Sequence, residues 1–132
     1  MRVLVAGASG AIGLPTVRAL MARGHQVTGV ARTAANRRLL EDLGAVAVVA
    51  DAMDADSIGD AVAGASPEVV VDLLAAVPKG GAWGVEDMEA TNRLRINGTP
   101  NLLNAAVRAR ARPYVGESSY LVYGSGDSAA NR

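Results

Sequence analysis

The sequence predicts an α/β fold, a parallel β-sheet held between two layers of helices. Three observations point to it. Short β-branched runs alternate with longer stretches of helical periodicity, the strand-like runs are almost continuously apolar, and glycine closes several of the helical stretches. Runs that are apolar on both sides need cover on both faces, and the crossover helices of a parallel sheet supply it.

Each element follows in order. Arg2–Ala6 (RVLVA) is a first strand. Residues 11–23 place Ile12, Val17, Leu20 and Met21 at roughly helical spacing, with Pro15 near the start, where its missing N–H costs little, and Gly24 as the stop. Gln26–Ala31 is a second strand, residues 34–43 a second helix ending at Gly44, and residues 45–50 a third strand. A short helix over 56–63 is expected to end at Gly64. Residues 68–74 form a fourth strand, apolar apart from Asp72. A loop over 78–84 leads to a long helix within 85–112, and residues 113–117 are a fifth strand. Right-handed crossovers favour the strand order 3-2-1-4-5. The small, polar tail from Gly124 to Arg132 is expected to fray.

Composition bounds the function. The 132 residues suit one domain, and 13 basic side chains balance 13 acidic ones. A neutral chain lacks the broad positive field that non-specific nucleic-acid binding needs. With no cysteine and one histidine, His25, disulfides, thiolate chemistry and multi-histidine metal sites are excluded. No apolar run approaches the ~20 residues of a membrane span. The opening MRVLVAGASG is too short and too glycine-broken for a signal peptide, so a cytoplasmic protein with no nucleic-acid or membrane partner is expected.

The densest chemical signal is Gly7-Ala-Ser-Gly10-Ala-Ile-Gly13, between the first strand and the first helix. Gly7 lets the chain turn sharply out of the strand. Gly10 leaves room for a pyrophosphate against the backbone, and Gly13 lets the helix pack close to the sheet. Free amides of the first helical turn, together with the helix dipole, then meet the phosphates. Gly7, Ser9, Gly10, Ala11, Ile12 and Gly13 are therefore candidate cofactor-binding residues, and the fold class narrows to a Rossmann-type doubly wound sheet.

The spacing G-x-x-G-x-x-G resembles the short-chain dehydrogenase/reductase superfamily, in its extended or atypical branch with the NAD-dependent epimerases and dehydratases. Other segments agree, in order and over essentially the whole chain. Val69-Val-Val-Asp-Leu-Leu-Ala-Ala76 is similar to the family's fourth strand. Gly98-Thr-Pro-Asn-Leu-Leu-Asn-Ala-Ala106 resembles its G-T-x-N-L-L-x-A-A helix, and Val115-Gly-Glu-Ser-Ser-Tyr-Leu-Val-Tyr-Gly124 its V-x-x-S-S-x-x-x-Y-G strand end.

The resemblance implies further site residues. Asp51, with Ala52 beside it, falls where the family contacts the adenine amine; a turn or helix-capping aspartate is the competing reading. Leu74, Ala75 and Ala76 match positions that line the pyrophosphate and nicotinamide ribose. Leu73 stands where the family has histidine, and Arg95 where an asparagine is frequent. The second strand ends in Val30-Ala31-Arg32, with Arg37 and Arg38 beyond. An acid there would repel an adenosine 2′-phosphate and an arginine can pair with it, so the expected cofactor is NADP(H), with NAD the alternative.

Hydride transfer in the family uses Ser or Thr with Tyr-x-x-x-Lys. Ser119 falls at the Ser/Thr position and is the candidate catalytic residue. No Tyr-x-x-x-Lys is present: Tyr114, Tyr120 and Tyr123 are followed at plus four by Ser118, Gly124 and Asp127, and the single lysine is Lys79. Residues 1–132 are thus expected to be one nucleotide-binding domain that lacks a C-terminal substrate lobe. Its apolar sheet edge would favour homo-oligomers. Two function classes stand open. One is the cofactor-binding part of an NAD(P)-dependent epimerase, dehydratase or reductase of small-molecule substrates. The other is a non-catalytic NADP(H)-binding or sensing module.

Overall fold

The computed structural model describes residues 1–77 and 85–118, the side chains at 85 and 87 excepted. Within them a five-stranded parallel sheet runs in the order β3-β2-β1-β4-β5, as the crossover rule requires. The strands are β1 (Arg2–Ala6), β2 (Gln26–Ala31), β3 (Val46–Val49), β4 (Val69–Asp72) and β5 (Tyr114–Gly116). Alternating with them are α1 (Gly13–Ala22), α2 (Ala34–Asp42), α3 (Ala55–Ala65), α4 (Val85–Arg93) and α5 (Thr99–Arg108). A π turn over Leu94–Gly98 joins α4 to α5. The expected loop over 78–84, the tail from Gly124 and Ser119 lie outside the described residues.

The two faces of the sheet bury separate cores, as period-two alternation along each strand demands. Val3, Val5, Val27 and Ala31 pack on Val17 of α1 and Leu40 of α2. Leu4, Ala6, Val30 and Val70 pack on Ile58 and Val62 of α3 and on Leu102, Ala105 and Ala106 of α5. β3 and β5 are the sheet edges, and Val115 on β5 is half exposed.

Three expected boundaries move by two residues. α1 begins at Gly13 rather than 11, because residues 11 and 12 belong to the turn that leaves β1. α3 passes through Gly64 to Ala65 and is capped by Ser66, which takes the left-handed conformation at φ 44°. β4 stops at Asp72, whose Oδ1 accepts from Leu74 N at 3.0 Å; this aspartate turn ends the strand two residues early. Gly24 and Gly44 do end their helices, at φ +81° and +88°.

Candidate functional site

Parallel strands carry all their following loops to one edge of the sheet, so the sequence-predicted residues gather there. Residues 7–13 follow β1, Arg32 follows β2, Asp51 and Ala52 follow β3, and Leu74, Ala75 and Ala76 follow β4. The register pairs Ala6 with Asp72, so the glycine turn lies beside the end of β4, where the strand order reverses direction. A crevice at such a reversal is the usual ligand position of a doubly wound sheet.

The three glycines meet different demands. Gly7 sits at φ +73°, and a Cβ on it would lie 2.2 Å from the carbonyl oxygen of Leu73. A Cβ on Gly13 would lie 2.1 Å from the carbonyl oxygen of Gly7. Both positions are closed by the protein's own backbone. A Cβ on Gly10 would meet only Gly7 O, at 3.2 Å, and otherwise open space. Gly10 thus keeps a surface clear rather than a contact tight.

The amides around it are free to serve a ligand. Gly10 N donates to Gly7 O at 3.0 Å and Leu14 N to Gly10 O at 3.1 Å. Among the described residues the amides of Ala11, Ile12 and Gly13 find no carbonyl partner. Ala11 and Ile12 are exposed and Ser9 is half-buried. Amides without a carbonyl partner, a helix dipole behind them and no Cβ at Gly10 fit a diphosphate.

Arg32 is exposed just before α2, which Thr33 caps by accepting from Asn36 N at 3.2 Å. Arg37 pairs with Glu41 at 2.8 Å. Among the described residues Arg32 and Arg38 form no ion pair. Asp51 closes an aspartate turn, Oδ1 accepting from Met53 N at 2.9 Å, and its exposed carboxylate keeps a second oxygen for another donor. Asp54, not Asp51, caps α3.

Several residues that shape this edge carry no role in the sequence reading. Asn101 Nδ2 donates to Ala52 O at 2.9 Å and holds the loop after β3. Thr91, buried on α4, accepts from Ala76 N at 3.2 Å and holds the segment after β4. Asp72 is 4% exposed, and its Oδ2 accepts from Thr99 Oγ1 at 2.9 Å and from the Tyr114 hydroxyl at 2.7 Å. Burial, and next the bond to Asp72, push the Tyr114 phenol above the ordinary tyrosine range. The one available signal was Asp72 itself, a carboxylate in an apolar strand. Above it Leu74, Arg95, Thr99, Tyr114, Gly116 and Glu117 line a cleft of about 220 Å³, in which Arg95 pairs with Glu117 at 2.9 Å.

Residues 3–131 match the NAD-dependent epimerase/dehydratase family. The chain is 45% identical over 118 residues to a 3-diazoavenalumate denitrifying reductase from a Streptomyces species, a match covering 89% of this chain and 38% of that protein. It is similar to the crystal structure of UDP-glucose-4-epimerase from Stenotrophomonas maltophila with bound NAD and formylated UDP-arabinopyranose. There the TM-score is 0.75 at 26% identity, over 98% of this chain and 40% of that one. A short-chain dehydrogenase/reductase superfamily protein from Agrobacterium tumefaciens with bound NAD gives a TM-score of 0.71 at 30% identity, over 92% and 34%. The chain spans roughly two-fifths or less of the length of each of these relatives.

Proposed function

The chain belongs to the NAD-dependent epimerase/dehydratase family, and from that premise we propose that it forms the NADP(H)-binding part of a reductase. The carrying observation is the glycine turn at the strand-order reversal, with three amides that find no carbonyl partner among the described residues and no Cβ at Gly10. Ala11, Ile12 and Gly13 would donate to the pyrophosphate. Asp51 would accept from the adenine amine, with Ala52 beneath it, and Leu74, Ala75 and Ala76 would border the nicotinamide ribose.

NADP(H) is favoured over NAD(H) by Arg32. No acid stands at the end of β2 to accept from a ribose hydroxyl, and the exposed guanidinium suits a 2′-phosphate. The named relative is a reductase, which favours hydride donation to a small molecule over epimerisation. When bound, the nicotinamide supplies the hydride. The chain's own share is to hold the dinucleotide by its phosphates and to present Ser119, whose hydroxyl would orient a substrate oxygen. A second reading, a binding or sensing module, is favoured by the absence of Tyr-x-x-x-Lys from these residues.

Titration of NADPH and NADH against wild type and Arg32→Ala tests the assignment. Only NADPH affinity is expected to fall, by roughly 1–3 kcal/mol for a lost charge-assisted contact. Equal losses, or none, remove the NADP(H) assignment, and absence of binding by wild type removes the cofactor reading. Turnover of any carbonyl substrate by this chain would exclude the sensing module.

A further inference from the structure

Arg95 and Glu117 lie 22 residues apart in sequence and meet where the sheet ends, Arg95 Nη2 donating to Glu117 Oε1 at 2.9 Å. Neither belongs to the glycine turn or to the loops after β2 and β3. The pair is partly withdrawn from water, with side chains 36% and 21% exposed.

Each partner sits at a break in regular structure. Arg95 is the second residue of the π turn, Leu94–Gly98. A π turn inserts one residue, which rotates the downstream helix by about 100° relative to a continuous α-helix. That rotation lets α5 keep Leu102, Ala105 and Ala106 on the core while Arg95 reaches across to Glu117, just past β5. Among the described residues Glu117 is the last tied to the sheet, its amide donating to Asp72 O at 3.1 Å. Ser118, next in the chain, is exposed.

An ion pair of this exposure adds little to global stability, so stability alone is a weak reason for it. Its location offers a better one. The same cleft is bordered by Leu74, the first of the residues assigned to the nicotinamide ribose. We infer that Arg95 and Glu117 are positioning residues whose ion pair clasps the end of β5 to the π turn and so sets the wall beside the nicotinamide half of the cofactor, an assignment that rests on the cofactor reading above. The adenosine half would be held by the loops after β2 and β3, which lie on the other side of β1 from β4 and β5, and so would not depend on the clasp.

Two ligands separate the halves: 2′,5′-ADP carries the adenosine end alone, and NADPH carries both. Their dissociation constants are measured for wild type, Arg95→Ala, Glu117→Gln and the swapped variant Arg95→Glu/Glu117→Arg. The clasp predicts that 2′,5′-ADP binds all four equally. NADPH should bind each single variant roughly fivefold more weakly and recover in the swap to within about twofold of wild type. Single variants that bind NADPH as wild type does would overturn the inference and leave the cofactor reading intact. Parallel loss of both ligands, or a swap as weak as the single variants, would overturn it as well. Wild type that binds neither ligand would sink the NADP(H) reading on which the clasp rests, and the clasp with it.

Discussion

Gly10 and Gly13 separate binding from folding, and alanine at each tests that separation. At Gly13 the new Cβ would stand 2.1 Å from Gly7 O and 2.6 Å from the carbonyl carbon of Ala8. Relief requires α1 or the turn to move by about 1 Å, a strain of roughly 1–3 kcal/mol for overpacking against backbone. A domain of this size then melts roughly 3–12 °C lower. At Gly10 the backbone is not left-handed, and the nearest atom is Gly7 O at 3.2 Å. The small displacement needed is offset by the unfolded-state entropy that alanine removes, about 0.4–1 kcal/mol, so stability should stay within about 1 kcal/mol of wild type. The methyl group would nevertheless occupy the space through which a diphosphate reaches the amides of Ala11 to Gly13. NADPH affinity should fall at least tenfold, about 1.4 kcal/mol. Urea unfolding and NADPH titration on both variants supply the two axes. If Gly10→Ala binds as wild type, the phosphates do not lie on this turn; if it unfolds as readily as Gly13→Ala, the distinction between open and closed glycines is wrong.

Other perturbations probe what holds the site edge. Asp72→Asn offers one carbonyl oxygen where Leu74 N, Thr99 and Tyr114 now share a carboxylate, and turns an amide N–H toward a donor. A loss of roughly 2–3 kcal/mol is expected, read as a lower urea midpoint at constant slope. Tyr114 gives an alkaline signature. Its phenol is held neutral by burial and by Asp72, whereas an unfolded tyrosine titrates near 10. Its contribution is therefore complete below about pH 10 and falls away above it, because the unfolded chain releases a proton that the folded one keeps. Urea stability measured from pH 8 upward should decline less steeply beyond pH 10 in Tyr114→Phe than in wild type. Asn101→Ala removes the 2.9 Å bond to Ala52 O and should cost about 1 kcal/mol of stability, with weaker binding of 2′,5′-ADP in the same titration.

How much is legible in the sequence depends on whether a local signal has a rival. β1 and β2 are legible to the residue, because apolar runs bounded by glycine and polar residues admit one assignment. The expected α3 is too short because Gly64 resembles the glycines that end α1 and α2. Yet a Cβ on Gly64 would meet nothing within 4 Å, and the helix is carried past it by buried Ile58, Ala61 and Val62. The cost of one glycine in a helix, about 1 kcal/mol against alanine, is small beside that burial. Asp51 shows the same ambiguity at the site. Its turn-forming oxygen meets the structural demand and leaves the other open, so the two sequence readings of this residue do not compete.

The π turn has no local signal, and the reason is physical. Periodicity reports which residues face the core, but a one-residue insertion shifts phase between two helices whose own periods are each intact. The sequence therefore reads as one long helix within 85–112. What goes with the insertion is non-local: Gly98 approaches Ala52, where a Cβ would come within 3.4 Å of the alanine's own, while Arg95 reaches Glu117 just past the edge strand β5. Both partners are assigned only when the sheet order is known. The candidate site follows the same division. The part proposed to grip phosphate is written in a seven-residue run after one strand, whereas the contacts around the end of β5 are assembled from β4, the π turn, α5 and β5 at once.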